Sequence, residues 1–77
     1  MPGRPKKRSV VISGHATSVS LEDEFWQALS EIAAERGLSL AALLSEIDRA
    51  RGGASLSSAA RVHVVGWLRR RARGAER

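Results

Sequence analysis

The sequence predicts a mostly α-helical domain with one short β-strand, and two patterns lead to this fold class. Polar and apolar residues alternate from Thr17 to Leu21, which is the period of a strand. Three longer segments follow in which apolar residues recur at helical spacing. The chain has 77 residues and no cysteine, so we expect one small domain without disulfides or thiolate metal sites.

The bounds of the three helices follow from residues that begin or end helices. The first helix is expected over residues 22–36, because acidic residues suit its start and Gly37 suits its end. The second is expected over residues 40–51, with Ser39 as its N-cap. The third follows two glycines, opens on a serine and is expected over about residues 55–71.

The predicted strand needs a partner, because an isolated strand leaves its backbone hydrogen-bonding groups unsatisfied. It can pair with residues 10–12 in a hairpin, or with the same strand of a second chain across a two-fold axis. We favour the second pairing, because it also supplies a shared core to a short chain. That core is then expected to comprise Thr17, Val19, Leu21, Phe25, Trp26 and Leu29.

The charged residues divide the chain into basic ends and an acidic middle. Residues 1–8 carry a net charge of +4, residues 9–60 carry −4 and residues 61–77 carry +5. This distribution indicates a polyanionic partner that is contacted at defined places. We expect a flexible basic arm over residues 1–9, a folded domain over residues 10–72 and a basic tail over residues 73–77.

The strand also has a face that points away from the expected core, and this face suits DNA. A two-stranded ribbon fits the major groove, and small hydroxyl side chains let its backbone approach base edges. An ordinary solvent-facing side of a strand is the alternative interpretation of the same pattern. The free N–H groups at the start of the second helix, near Ser39, form a phosphate site if they face the same way.

With this strand and these helices the sequence resembles the ribbon-helix-helix proteins, the group that contains the Arc and Met repressors. The matching segment runs from Thr17 to Ile47 and reads "TSVSLEDEFWQALSEIAAERGLSLAALLSEI". Over residues 7–70 the chain is similar to short bacterial ribbon-helix-helix proteins. The resemblance implies an obligate dimer whose paired strands enter the major groove. It implies base-facing roles for Ala16, Ser18 and Ser20, and phosphate contacts from the backbone amides of Ser39 and Leu40.

Two features go beyond this minimal family pattern. The third helix is an addition, and it is also an alternative candidate for the family's second helix. The arm "PGRPKKR", residues 2–8, is similar to the core of AT-hook peptides, which lie in an A·T minor groove. Its expected DNA contacts are Arg4, Lys6, Lys7 and Arg8. A non-specific phosphate-binding tail is the alternative, and both uses of the arm predict a strong salt dependence.

We therefore expect a sequence-specific DNA-binding homodimer of the bacterial cytoplasm, associated with the nucleoid and acting as a transcriptional regulator. Higher-order assembly on DNA and a further protein partner are also compatible with the sequence. The alternatives are an antitoxin or other protein-interaction module, and a helix-turn-helix monomer that uses the second and third helices. An enzyme is not expected, since no catalytic constellation appears. No cofactor, metal or membrane partner is expected either.

Overall fold

The computed structural model describes residues 4–75 and shows a two-stranded sheet followed by three helices. The elements in chain order are β1 (Lys6–Ile12), β2 (His15–Leu21), α1 (Asp23–Arg36), α2 (Leu40–Ala50) and α3 (Leu56–Ala75). The mostly helical character is as predicted. The expectation of a single strand was wrong, because residues 6–12 form a second one.

The two strands form a hairpin within one chain. They pair antiparallel in a register that runs from Lys6 opposite Leu21 to Ile12 opposite His15. The connecting residues Ser13 and Gly14 have φ angles of 52° and 81°. Positive φ at both central residues is typical of a type I′ turn, whose twist matches that of the flanking strands. The structure therefore has the hairpin, and it does not show the pairing between two chains that we favoured from the sequence.

The helices end where the sequence supplies capping groups. Gly37 adopts the left-handed conformation at the end of α1 (φ 68°) and separates it from α2. Ser39 caps α2 by accepting a hydrogen bond from the backbone N–H of Ala42 at 3.0 Å. By contrast, α3 continues four residues beyond the predicted end at Arg71, to Ala75, even though Gly74 disfavours helix.

The core is closed within one chain. Val19, Leu21, Trp26 and Leu29 are all buried, whereas Thr17 and Phe25 are only half-buried. Residues from β1 and α3 cover this layer, namely Ile12, Leu56, Ala60 and Val64. Four of the six residues that we assigned to a dimer core are thus buried within a single chain, where β1 and α3 supply the second layer.

α3 lies beside α1 and runs in the same direction. At the start of both helices, Arg61 makes two hydrogen bonds to the carboxylate of Glu22, at 3.0 and 3.2 Å. At their far ends, Arg71 lies 2.7 Å from the carboxylate of Glu35. These two ion pairs join α3 to α1 near both ends of α1.

The folded region is wider than the domain that we expected. Residues 6–9, assigned to a flexible arm, belong to β1, and residues 73–75, assigned to a tail, belong to α3. Residues 1–3 of the arm and 76–77 of the tail lie outside the described residues. Within residues 4–75 no helix has both the length and the apolar character that a membrane span requires.

Candidate nucleic-acid interface

The hairpin has one face against the core and one face toward solvent. The solvent side, here called the outer face, carries Lys7, Ser9 and Val11 from β1 and Ala16, Ser18 and Ser20 from β2. Ser20 is half-buried and the other five are exposed. The structure thus places the three residues expected to face bases together on one exposed surface.

β1 doubles this surface and contributes residues that sequence analysis missed. Ser9 lies directly opposite Ser18, and Val11 lies directly opposite Ala16. Cross-strand neighbours on one face have Cβ atoms about 4.5–5.5 Å apart, so each pair is a single contact unit. The available signal was the period of two in β1, where Arg8, Val10 and Ile12 alternate with Lys7, Ser9 and Val11.

The edge of β2 that faces away from β1 is partly covered by α3. In a two-residue hairpin the residues next to the turn form a hydrogen-bonded pair, so Ala16, Ser18 and Ser20 direct their backbone groups away from β1. The N–H of Ser20 accordingly donates to the hydroxyl of Ser57 in α3 at 3.3 Å. The start of α3 therefore covers part of this edge of β2.

The four cations expected in the arm do not lie on one side of the hairpin. Lys6 and Arg8 lie on the inner side of β1, where Lys6 is 3.3 Å from Asp23 and Arg8 stacks on Trp26 at 4.8 Å from the ring centre. Trp26 also donates its indole N–H to the carbonyl of Lys6 at 3.0 Å. Lys7 points to the outer face, and Arg4 is exposed just before β1.

Residues 6–8 pair in β1, so the side chains of this segment alternate between the two faces of the hairpin. Residues 2 and 3 of the AT-hook-like segment lie outside the described residues.

The expected phosphate site at the start of α2 lies away from the hairpin within one chain. Ser39 and Leu40 follow the far end of α1, a helix of 14 residues that spans about 21 Å. The opposite end of α2 approaches the hairpin, where Asp48 and Arg51 line a cleft together with Ser13. The structure therefore does not bring the α2 N-terminus and the outer face into direct contact.

Ion pairing concentrates the free positive charge at two places. Within residues 4–75, most acidic side chains are matched to a cation; the pairs are Lys6–Asp23, Arg36–Glu46, Arg51–Asp48, Arg61–Glu22 and Arg71–Glu35. In this part of the chain, the cations outside these pairs are Arg4, Lys7, Arg8, Arg49, Arg69, Arg70 and Arg73. They cluster around β1 and the end of α3, with Arg49 on α2.

Two of the paired carboxylates are stabilised in their charged form. The backbone N–H of Glu22 and then the Arg61 guanidinium lower the pKa of the Glu22 carboxyl below its ordinary value. The hydrogen bond from Arg36 does the same for the pKa of Glu46. These acids therefore stay ionised at neutral pH and keep neutralising their partners. The positive electrostatic potential of this surface then comes from the unpaired cations.

His63 lies half-buried on the side of α3 that faces α2. Burial lowers the pKa of its imidazole, the charge of Arg70 adds to this effect and the carboxylate of Glu46 opposes it. Within the described part of the chain, no group of three or more histidine or acidic residues is placed to hold a metal ion.

The structure combines a two-stranded ribbon with the helices α1 and α2, which follow it at once and are joined through the left-handed Gly37. The sequence matches the profile of the ribbon-helix-helix domain over residues 5–68. The chain belongs to this family, whose members generally bind DNA as dimers.

Comparison with solved structures finds an uncharacterized protein from Bordetella pertussis Tohama I. The two share 32% sequence identity with a TM-score of 0.77. The match covers 91% of this chain but only 60% of the Bordetella protein, so the chain spans well under the full length of that relative. Comparison with curated proteins finds no match.

Proposed function

We propose that the protein is a sequence-specific DNA-binding regulator that works as a homodimer and places the outer face of its ribbon in the major groove. The observation that carries the proposal is the outer face itself. Its six side chains include three serines and one lysine, and the core makes no use of them. The major groove is about 12 Å wide and accepts a two-stranded ribbon.

The hairpin of one chain is proposed to supply both strands of this ribbon. β1 occupies one edge of β2 over seven residue pairs, so an intermolecular ribbon of the kind expected from the sequence would have to use the other edge. The opposite edge of β2 is contacted by Ser57. Two chains related by a two-fold axis then present two ribbons, which suits half-sites about one DNA turn, or 34 Å, apart.

The side chains of the outer face are proposed to make two kinds of contact with bases. The hydroxyls of Ser9, Ser18 and Ser20 donate or accept hydrogen bonds at base edges, while Val11 and Ala16 offer apolar contact to thymine methyl groups. Because these side chains are short, they distinguish base pairs only when the backbone of the ribbon lies close to the floor of the groove. Sequence preference is therefore expected to be modest for each chain and to accumulate across the dimer.

Phosphate contacts are proposed to come from two residues beside the ribbon and from the start of α2, which lies away from it. Lys7 lies at its open end, Arg4 precedes β1, and the N–H groups at Ser39 and Leu40 form an anion site at a helix start. Such contacts add affinity without sequence information. Each one that is made adds about 0.9 to the slope of log affinity against log salt.

The test separates base readout from phosphate binding. Sequences that the protein retains from a random duplex library would be compared with unselected DNA by fluorescence anisotropy over a salt series. The variant Ser18→Ala with Ser20→Ala should lose most of its preference for the selected sequences and keep its affinity for unselected DNA. Ser58→Ala, an exposed serine on α3, is the matched control and should leave both unchanged.

Two results would contradict this function. An equal loss of affinity for all sequences would mean that the serines support the ribbon without reading bases. A wild-type protein that retains no preferred sequence would favour the alternative of a protein-interaction module with only non-specific DNA affinity. If the function holds, the protein works on chromosomal DNA in the cytoplasm.

A further inference from the structure

The last two turns of α3 hold four exposed arginines, namely Arg69, Arg70, Arg71 and Arg73. Arg71 is used within the chain, because it pairs with Glu35 at 2.7 Å and stacks on Trp67 at 4.7 Å from the ring centre. Within residues 4–75 no acid pairs with the other three. Arg69, Arg70 and Arg73 are here called the α3 arginines.

The α3 arginines are neighbours on the surface of the helix. Arg73 follows Arg69 by four residues and Arg70 by three, which are the spacings of adjacent side chains. A Cβ atom added at Gly66 would lie 3.5 Å from Nη1 of Arg70, so the Arg70 side chain lies back over this glycine. Burial lowers the pKa of His63 and the charge of Arg70 adds to this effect, so Arg70 lies on the side of α3 that faces α2. The three cations therefore form one patch between the solvent side and the α2 side of α3.

Folding of the described chain does not account for this patch. The helix dipole stabilises cations within the last turn only, and of the three only Arg73 lies there. Like charges at intervals of three and four residues repel each other and destabilise a helix. The α3 arginines thus work against the stability of α3 unless an anion from outside the described chain binds them.

The ribbon by itself offers little charge to DNA. Its outer face carries one cation, Lys7, among six side chains, because Lys6 and Arg8 lie on the inner side of β1. Contacts between cations and phosphates supply most of the sequence-independent affinity of a DNA-binding protein. A ribbon with so few cations therefore benefits from a second basic surface.

We propose that the α3 arginines bind backbone phosphates of duplex DNA that flank the segment occupied by the ribbon. The proposal rests on the proposed function, and it adds to the ribbon a surface that binds any sequence. Ser57 contacts the ribbon at Ser20, and Arg70 follows Ser57 by 13 residues, or about 20 Å along α3. This distance exceeds the width of the major groove, about 12 Å, so the phosphates that are reached lie outside the groove that holds the ribbon.

The chemistry of the patch favours DNA over an acidic segment of another protein. Protein partners gain most of their binding energy from side chains that are anchored in pockets. The α3 arginines instead project from the end of a helix that continues past its contact with α1 at Glu35. A duplex needs no pocket, because each phosphate that is neutralised releases condensed counterions. The arginine side chain also matches a phosphate group with two parallel hydrogen bonds.

The test compares two duplexes by fluorescence anisotropy over a salt series, with the full chain. One duplex carries only the selected sequence, and the other is extended by about ten base pairs on each side, or about 34 Å. Wild type should bind the extended duplex more tightly and with a steeper salt dependence. Arg69→Gln with Arg70→Gln and Arg73→Gln should remove this gain and leave binding to the short duplex unchanged. Its slope of log affinity against log salt on the extended duplex should fall by up to about 2.7, at about 0.9 for each lost contact.

Arg49→Gln is the matched control for each single replacement of an α3 arginine by glutamine. Arg49 is exposed and, within the described residues, is also without an acidic partner. Its neighbour Ala50 lines a cleft with Val62, which precedes Arg70 by eight residues, or about 12 Å along α3. The control should leave the salt slope unchanged, because this distance exceeds the Debye length of about 8 Å at physiological salt. Circular dichroism checks that all variants are folded.

Three outcomes would overturn the proposal. The first is a triple variant that gains affinity from the longer duplex as wild type does. The second is a control variant whose salt slope falls as far as that of the single variants, since total charge would then explain the effect. The third is a triple variant that binds both duplexes like wild type but loses affinity for a poly-glutamate peptide, which would assign the patch to an acidic protein partner.

The proposal and the proposed function fail separately. If Ser18→Ala with Ser20→Ala abolishes the sequence preference while the triple variant behaves like wild type, the ribbon reads bases and the α3 patch is overturned. If wild type has no preferred sequence, the same comparison is made with unselected duplexes. A smaller salt slope of the triple variant on that DNA would then support the α3 patch, while the proposed function would be overturned.

Discussion

Replacement of Gly14 by valine tests whether the ribbon is built within one chain. Gly14 has a φ of +81° in the turn between β1 and β2. A side chain in this left-handed region costs roughly 1–2 kcal/mol, because Cβ approaches the following carbonyl oxygen. No other atom lies within 4 Å of a Cβ at this position, so the cost comes from the backbone conformation alone.

This cost is large relative to the stability of so small a domain. At 0.05–0.15 kcal/mol per residue, 77 residues give a free energy of unfolding of about 4–12 kcal/mol. In a domain of this size each kcal/mol shifts the melting temperature by about 4–8 °C. Gly14→Val is therefore expected to lower the melting temperature by about 4–16 °C.

Thermal unfolding followed by circular dichroism at two protein concentrations is the assay. Gly53→Val is the matched control, because Gly53 is exposed, lies in open space and lacks a positive φ. If Gly14→Val melts at the same temperature as Gly53→Val, the tight turn is not part of the folded state and the intrachain hairpin is refuted. A Gly14→Val dimer more stable than the wild type would show that the strands pair between chains.

Three further perturbations test the core, the α2–α3 interface and the two sides of β1. Leu21→Ala should lower the free energy of unfolding in urea by about 2–5 kcal/mol, since Leu21 is fully buried; a loss below about 1 kcal/mol would refute a closed core. Stability should fall as pH drops from about 7.5 to about 5.5, because burial holds the pKa of His63 below its ordinary value and the unfolded chain binds the extra proton. His63→Gln should flatten that dependence of the melting temperature, and an unchanged slope would exclude His63 as its source. Lys7→Ala should weaken DNA binding without changing stability, whereas Arg8→Ala should cost about 0.5–1 kcal/mol of stability through lost stacking on Trp26; the reverse pattern would invert the assigned faces.

The helices were predictable because their signals are local. Gly37 and Ser39 lie within one turn of the groups that they satisfy, and their bond partners follow from spacing along the chain. The predicted bounds of α1 and α2 accordingly agree with the structure to within one residue. The end of α3 was harder to place, because arginines at a helix C-terminus suit either a last turn or a continuation.

β1 was only partly predictable from its own residues, because residues 10–12 were an open candidate for a strand whereas residues 6–9 were assigned to the arm. Lys6, Lys7 and Arg8 have the composition of a solvated arm, and only three β-prone residues follow before the turn. Its strand conformation depends on distant groups, namely the backbone of β2 and the indole of Trp26, which donates to the carbonyl of Lys6. The same non-local pairing brings Ser9 beside Ser18, so the sequence predicted only half of the outer face.

The pairing of β1 with β2 also changes the meaning of the charge pattern. As a flexible arm, all cations of residues 4–8 would be available to a polyanion together. As a strand, the period of two sends Lys6 and Arg8 inward, where Asp23 and Trp26 hold β1 against α1, and sends Lys7 outward. The basic residues of this segment therefore support folding at alternate positions and point to solvent at the others, and total charge alone overstates the charge on the outer face.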